Sequence, residues 1–272
     1  MEFGVIIGTR EEEFKKVAEL GVPTIQMWIM CTEEELTDEH AERVKEYCEK
    51  YNIRISAAWC SWSGYRVWNL CEGQQTLGLV PQTTRNQRIK EMKLGSDFAK
   101  KLGIKDIITH VGFLPENPMT TEYLDFITDL RGLAEYVKNN DQYFLFETGQ
   151  ETPVTLLRTI EDVGTGNLGI NLDPANLMMY GKGNPIDALD VFGKYVRGVH
   201  IKDGCPPTSG RKLGPEMPVG KGKVNFPVFL DKLKNQVGYT GPLTLEREIE
   251  GEQQKIELDE AQSFIRGIWE SI

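Results

Sequence analysis

Four side chains of this chain stand where short apolar runs stop. Glu147 ends Tyr143-Phe144-Leu145-Phe146, and Asp173 follows Leu168-Gly169-Ile170-Asn171-Leu172. His200 follows Val196-Arg197-Gly198-Val199, and Glu246 follows Leu243-Thr244-Leu245. A short apolar run without polar alternation reads as a strand buried on both faces. Successive strand ends therefore each offer one hard, metal-capable donor. Two glutamates, an aspartate and an imidazole suit one divalent ion, Mn²⁺ foremost, with Mg²⁺, Co²⁺ and Zn²⁺ compatible by donor type. A single acid behind a strand is more often a helix cap, and Asp173 before Pro174 is a good cap candidate. Four such ends in succession point instead to a metal site made by Glu147, Asp173, His200 and Glu246. Two carboxylates bracketing an ion can take a proton from carbon on one face and return it on the other. Glu147 and Glu246 are the pair nominated for that catalytic role.

Strand and helix patterns alternate along the whole chain. Strands are expected at Phe3–Gly8, Thr24–Ile29, Ile53–Ala58, Asp106–Val111, Tyr143–Glu147 and in the runs ending at Asp173, His200 and Glu246. Between them, helices are expected at Glu11–Leu20, Thr32–Tyr51 (with a start near Thr37), Asn86–Leu102, Tyr123–Asn139, Pro153–Val163, Pro185–Phe192, Phe226–Leu233 and Glu257–Glu270. Eight strands and eight helices in strict alternation predict parallel strands joined by crossover helices. The fold class is α/β, a single (β/α)8 TIM barrel, with residues 1–272 as one domain and the site at the C-terminal rim of the strands. A doubly wound open sheet is the alternative.

Two stretches break the rhythm. Trp59 to Pro81 is irregular and holds Trp59, Trp62, Tyr65 and Trp68. A long loop dense in aromatics is expected to be functional, folded over the barrel mouth. Trp59 and Trp62 are candidates for an apolar wall against substrate. The Gly/Pro-rich stretch from Gly204 to Gly222 is the other loop. Its Gly220-Lys221-Gly222-Lys223 is not a phosphate-loop pattern, and these lysines read as solvated. His110, at the end of strand four, is expected to touch substrate or to support the site from behind it, Lys202 to reach substrate or lock Glu246, and Asn176 to hydrogen-bond a substrate hydroxyl.

Composition excludes several classes. A formal charge of −10 argues against a nucleic-acid or anionic-membrane partner. No run approaches the ~18 apolar residues of a membrane span. The first apolar run is too short for a signal peptide and reads as the first strand. Cysteines at 31, 48, 60, 71 and 205 are odd in number and form no C-x-x-C, as expected of free thiols in a reducing compartment. The expectation is a soluble cytoplasmic protein, with a homo-oligomer compatible.

Glu147, Asp173, His200 in Val199-His200-Ile201-Lys202-Asp203, and Glu246 in Leu245-Glu246-Arg247 resemble the xylose-isomerase-like sugar isomerases and epimerases. The resemblance spans the chain strand by strand. It implies metal-dependent isomerisation or epimerisation of a sugar, sugar phosphate or sugar acid through an enediolate, with Glu147 and Glu246 as both ligands and acid/base. The alternative within the fold is a metal-dependent lyase or dehydratase acting on a keto-sugar, keto-glycoside or inosose. Two positions depart from the ketose 3-epimerases: Asn176 stands where they carry a histidine, and Pro206 where they carry an arginine that grips substrate. A free-ketohexose 3-epimerase is thereby disfavoured. The zinc-dependent apurinic-site endonucleases share the barrel but use many histidines, and this chain has His40, His110 and His200 alone.

Overall fold

Bulky β-branched and aromatic runs form the strands here because both faces of each are covered, by barrel interior and by helices. The computed structural model describes all of residues 1–272. In chain order the elements begin β1 (Phe3–Ile7), α1 (Glu11–Leu20), β2 (Thr24–Met30), α2 (Asp38–Tyr51), β3 (Arg54–Ser61) and α3 (Gly73–Thr76). They continue with α4 (Gln82–Lys101), β4 (Asp106–Thr109), α5 (Thr121–Asn139), β5 (Tyr143–Glu147), α6 (Pro153–Val163), β6 (Leu168–Leu172), α7 (Pro174–Met179) and α8 (Pro185–Phe192). The chain closes with β7 (Val196–Ile201), β8 (Asp203–Gly204), β9 (Glu216–Met217), α9 (Phe226–Asp231), β10 (Leu243–Leu245) and α10 (Glu252–Ser271).

Eight strands pair in parallel in the closed order β1-β10-β7-β6-β5-β4-β3-β2. The expected TIM barrel is therefore formed. No helix is long and apolar enough to cross a membrane, and the five cysteines are free.

Helix ends follow the local chemistry. Thr37 caps α2 by accepting from the His40 backbone N–H at 3.2 Å, so the helix starts at Asp38, as the expected start near Thr37 has it, and not at Thr32. Thr152 caps α6 with Pro153 in its first turn. Gly21 ends α1 in the left-handed conformation at φ 70°.

Strict alternation of eight helices does not hold. The β6–β7 connection carries two helices, α7 and α8. The first has six residues, too few to show a period, and starts at Pro174 on the cap of Asp173. β3 runs three residues beyond the expected Ala58, through Trp59, Cys60 and Ser61, in register with the end of β2. Trp59 is thus a strand residue, and the irregular stretch begins after it. Helix α9 passes into a π-helical turn at Lys232–Val237.

The Gly204–Gly222 loop is pinned at its base. Its ends form the antiparallel ribbon β8–β9. Buried Asp203 accepts from the backbone N–H groups of Gly220 and Gly222, each at 2.9 Å, and of Val224 at 3.2 Å. A Cβ at residue 222 would sit 2.1 Å from the Asp203 carboxylate, so this approach requires glycine.

Candidate metal centre

Parallel strands of a closed barrel all deliver their C-terminal ends to one rim. There Glu147, Asp173, His200 and Glu246 meet, with one potential ligand atom from each lying within 4.8 Å of every other. Glu147 is the last residue of β5, Asp173 follows β6, His200 lies near the end of β7 and Glu246 follows β10. His200 Nδ1 is 2.7 Å from Glu246 Oε2, 3.3 Å from Glu147 Oε1 and 3.7 Å from Asp173 Oδ2.

The orientation of each donor has a cause. His200 is held from below by the polar side chains of the barrel interior. Its Nε2 lies 2.7 Å from Gln26 Oε1, while the Gln26 amide nitrogen donates to Asn171 Oδ1 at 2.9 Å. Nε2 also lies 2.9 Å from Asn171 Nδ2, so Gln26 and Asn171 together hold the ring and leave Nδ1 facing the carboxylates. Gly198 makes room for this network, since a Cβ there would meet Asn171 Oδ1 at 2.2 Å. Thr148 ties the ends of β5 and β6 together: its hydroxyl bridges the backbone N–H and C=O of Asp173, at 2.8 Å each.

Asp173 divides its two oxygens between two tasks. Oδ1 accepts from the Asn176 backbone N–H at 2.9 Å and caps α7. Oδ2 is buried and has no hydrogen-bond partner. The cap and the ligand position are therefore not alternatives. Glu147 divides likewise: Trp59 Nε1–H donates to Oε2, and Oε1 faces His200. Glu246 accepts from Lys202 Nζ at 3.0 Å on Oε1. Its Oε2, though close to His200 Nδ1, makes no hydrogen bond of acceptable angle, and neither does Nδ1. Three buried donor atoms, Asp173 Oδ2, His200 Nδ1 and Glu246 Oε2, thus converge with one close contact, His200–Glu246, and no well-aligned hydrogen bond among them. Buried polar atoms are ordinarily paired, and a hard divalent cation satisfies this set of oxygens and one nitrogen.

The electrostatics agree. Burial disfavours the His200 imidazolium, yet the charges of Glu246 and Glu147 outweigh it and hold the pKa well above its ordinary value. Burial likewise disfavours ionised Glu147, and the charges of His110 and His200 bring it below the usual carboxylate range. Glu246 is held low against burial by Lys202 and His200. Carboxylates kept ionised in a buried cluster make a well of negative potential, which attracts a cation.

A cavity of about 280 Å³ opens above the centre. Glu147, Glu246, His110, Asn176, Trp59, Trp28, Trp68, Tyr180 and Glu248 are among its lining. His110 approaches Glu147 Oε1 at 3.6 Å, between the rings of Trp59 and Trp68. Asn176 is placed on the wall by α7. Lys202 is buried and does not line the cavity. It is held by Glu246 and Glu248 and lies 3.7 Å from Asp173 Oδ2. Trp62 is not on the wall either. It is 1% exposed, stacked behind Trp59 with centroids 6.4 Å apart and under the Arg88 guanidinium. The apolar wall of the cavity is therefore made by Trp59, Trp28 and Trp68, with Trp62 behind it. Of the irregular stretch, Trp68 reaches the mouth, while Tyr65 is 69% exposed.

Gln26, Asn171, Thr148, Tyr180 and Glu248 escaped sequence reasoning. The first two carried a signal: a polar residue inside an apolar run, in Thr24–Met30 and Leu168–Leu172, points into the barrel and needs a partner.

The model of the family described as xylose isomerase-like TIM barrel matches residues 14–268. A crystal structure of a xylose isomerase domain protein from Planctomyces limnophilus superposes with a TM-score of 0.93 at 36% identity, covering 100% of this chain and 98% of that one. A D-tagatose 3-epimerase-like protein superposes with a TM-score of 0.75 at 21% identity, covering 100% and 99%. A protein of Methanocaldococcus jannaschii is 26% identical over 182 residues, 59% of this chain and 58% of that protein.

Proposed function

The chain belongs to the xylose isomerase-like TIM-barrel family, and we propose that it is a divalent-metal-dependent isomerase or epimerase of a small carbohydrate. The observation that carries the reading is the convergence of Asp173 Oδ2, His200 Nδ1 and Glu246 Oε2, all buried and without a well-aligned hydrogen bond, beside Glu147. One ion, manganese in the first instance, would be held by Glu147, Asp173, His200 and Glu246. When bound it supplies an electrophile that polarises a carbonyl and stabilises negative charge on neighbouring oxygens.

The chain's own residues do the rest. Glu147 and Glu246 enter the cavity from separate strands. Each has one oxygen occupied by a fixed donor, Trp59 Nε1–H or Lys202 Nζ, and so keeps its plane. One carboxylate removes the proton from the carbon beside the carbonyl, leaving an enediolate, and the other returns a proton. Trp28, Trp59 and Trp68 shield that carbon from water, and His110 and Asn176 offer hydrogen bonds to substrate oxygens. The similarity to a D-tagatose 3-epimerase-like fold supports this class of reaction.

The test is metal content after dialysis, followed by turnover of a panel of ketoses, keto-glycosides and inososes with Mn²⁺ in D₂O. Deuterium entering the substrate without loss of water is expected. Loss of water would select a dehydratase, and no exchange on any member of the panel would sink the isomerase reading.

A further inference from the structure

Buried polar atoms without partners occur in a second cluster outside the four metal-type residues. Both amide atoms of Gln150, both carboxylate oxygens of Glu151 and the Tyr180 hydroxyl make no well-aligned hydrogen bond in the protein; the nearest polar groups are the backbone N–H groups of 149–151 for Glu151 and the Gln150 amide for Tyr180. Gln150 and Glu151 are each 1% exposed and Tyr180 is 5% exposed. Unsatisfied buried groups are few in native proteins and each calls for a reason. The criterion that marks the metal centre marks this cluster too.

Its place fits a ligand. Gln150 and Glu151 sit on the turn between β5 and α6, just past Glu147. Tyr180 ends α7, which starts on the cap of Asp173, and it lines the same cavity as Glu147 and Glu246. A Cβ at Gly149 would touch the Tyr180 ring and Asn176 at 3.4 Å, so the turn lies directly against that wall. Burial raises the Tyr180 phenol, partly offset by the Gln150 amide, and Lys202, Glu248 and Glu151 all act on it.

We infer that Tyr180, backed by Gln150 and Glu151, is a polyol subsite that takes the uncharged hydroxyl-bearing end of the substrate, away from the metal centre. A phenol and an amide each both donate and accept, as a sugar hydroxyl does. A phosphate would need free cations. The charged residues lining the cavity, Glu147, Glu246 and Glu248, are all acidic apart from His110. Lys202 is consumed by carboxylates, and Lys182 faces the Phe113 ring at 5.5 Å. The inference rests on the proposed function for the identity of the other end, but not for the subsite itself.

The test uses manganese-loaded protein and the quenching of tryptophan fluorescence by D-sorbitol, glycerol and sorbitol 6-phosphate, since Trp59 and Trp68 line the cavity. Tyr180→Phe keeps the ring and Gln150→Leu keeps the volume. Each should weaken D-sorbitol about tenfold while glycerol, too short to span both ends, and manganese content stay unchanged. Equal losses on both polyols, no loss, no saturable D-sorbitol binding, or tighter binding of the phosphate would each overturn the subsite. The metal reading fails separately, if dialysed protein retains no manganese. The same titrations on that protein still decide the subsite, by whether the variants weaken D-sorbitol.

Discussion

The two halves of the barrel mouth are built on different terms. Strands β5, β6, β7 and β10 present Glu147, Asp173, His200 and Glu246 at or just past their ends, while β1, β2 and β3 give the cavity Ile6, Trp28 and Trp59. On the first side every donor is aimed by a named hydrogen bond: Gln26 on His200, Lys202 on Glu246, Trp59 on Glu147, the α7 backbone on Asp173. On the second side position is set by ring packing, from sealed Trp62 out to half-exposed Trp68. One side thus offers fixed polar atoms and the other a fixed apolar surface.

Six substitutions would break or sharpen that contrast. The largest effect belongs to the packed side. Trp62→Ala removes a fully buried ring and should cost about 3–5 kcal/mol in denaturant unfolding. Trp68→Ala, at a 43% exposed ring, should cost about 1 kcal/mol or less and raise KM instead. Similar costs for both would erase the distinction between sealed and lining rings.

On the aimed side, Glu147→Gln and Glu246→Gln keep an oxygen for the ion but cannot carry a proton. Each should lose at least about 10²-fold in turnover at saturating Mn²⁺ while retaining substantial metal. Turnover near wild type in either variant would end the two-carboxylate scheme. Next, Gln26→Leu frees the His200 ring without touching the cavity. Manganese affinity should fall about tenfold or more, read by competition with a chelator. An unchanged affinity would mean that packing alone aims the histidine.

The smallest effect concerns Glu151. Burial pushes its carboxyl up to about 8 from an ordinary 4.5, and the backbone N–H groups of 149–151 and Lys182 offset this only in part. Between those values the folded protein keeps a proton that the unfolded chain has released, so this group makes stability fall as pH rises. Glu151→Gln has no proton to keep. Its Tm at pH 8 should exceed that of the wild type by about 2 °C or more, and the difference should vanish near pH 4. A gain that does not depend on pH would point to packing in place of ionisation.

The metal side was readable in the sequence because strand ends are readable: an apolar run that stops on Glu147 or His200 states both position and direction. Helices α6 and α8 could be placed to the residue, since Pro153 and Pro185 mark their starts. The aromatic side was less so. Trp59 extends β3 and Trp62 packs behind it, yet both stand in one run of aromatic and small residues where nothing local separates wall from core. Helix α7 is too short for a period, and its cap was already spoken for as a metal-type residue. Tyr180 and Gln150 gave no sign, because their roles arise from what the fold leaves unpaired around them.

Asp203 carries a further consequence. One buried carboxylate gathers the backbone N–H groups of Gly220, Gly222 and Val224, while the ribbon β8–β9 zips the two ends. The loop between is anchored through main-chain atoms, whose identity does not depend on side chains. Its interior, including the Leu213 that reaches the cavity, is thereby an exchangeable cassette: sequence there can drift or be grafted while the anchor and the glycines at 214 and 222 stay. New substrate preferences can then be acquired at this loop with no change to the residues that perform the chemistry.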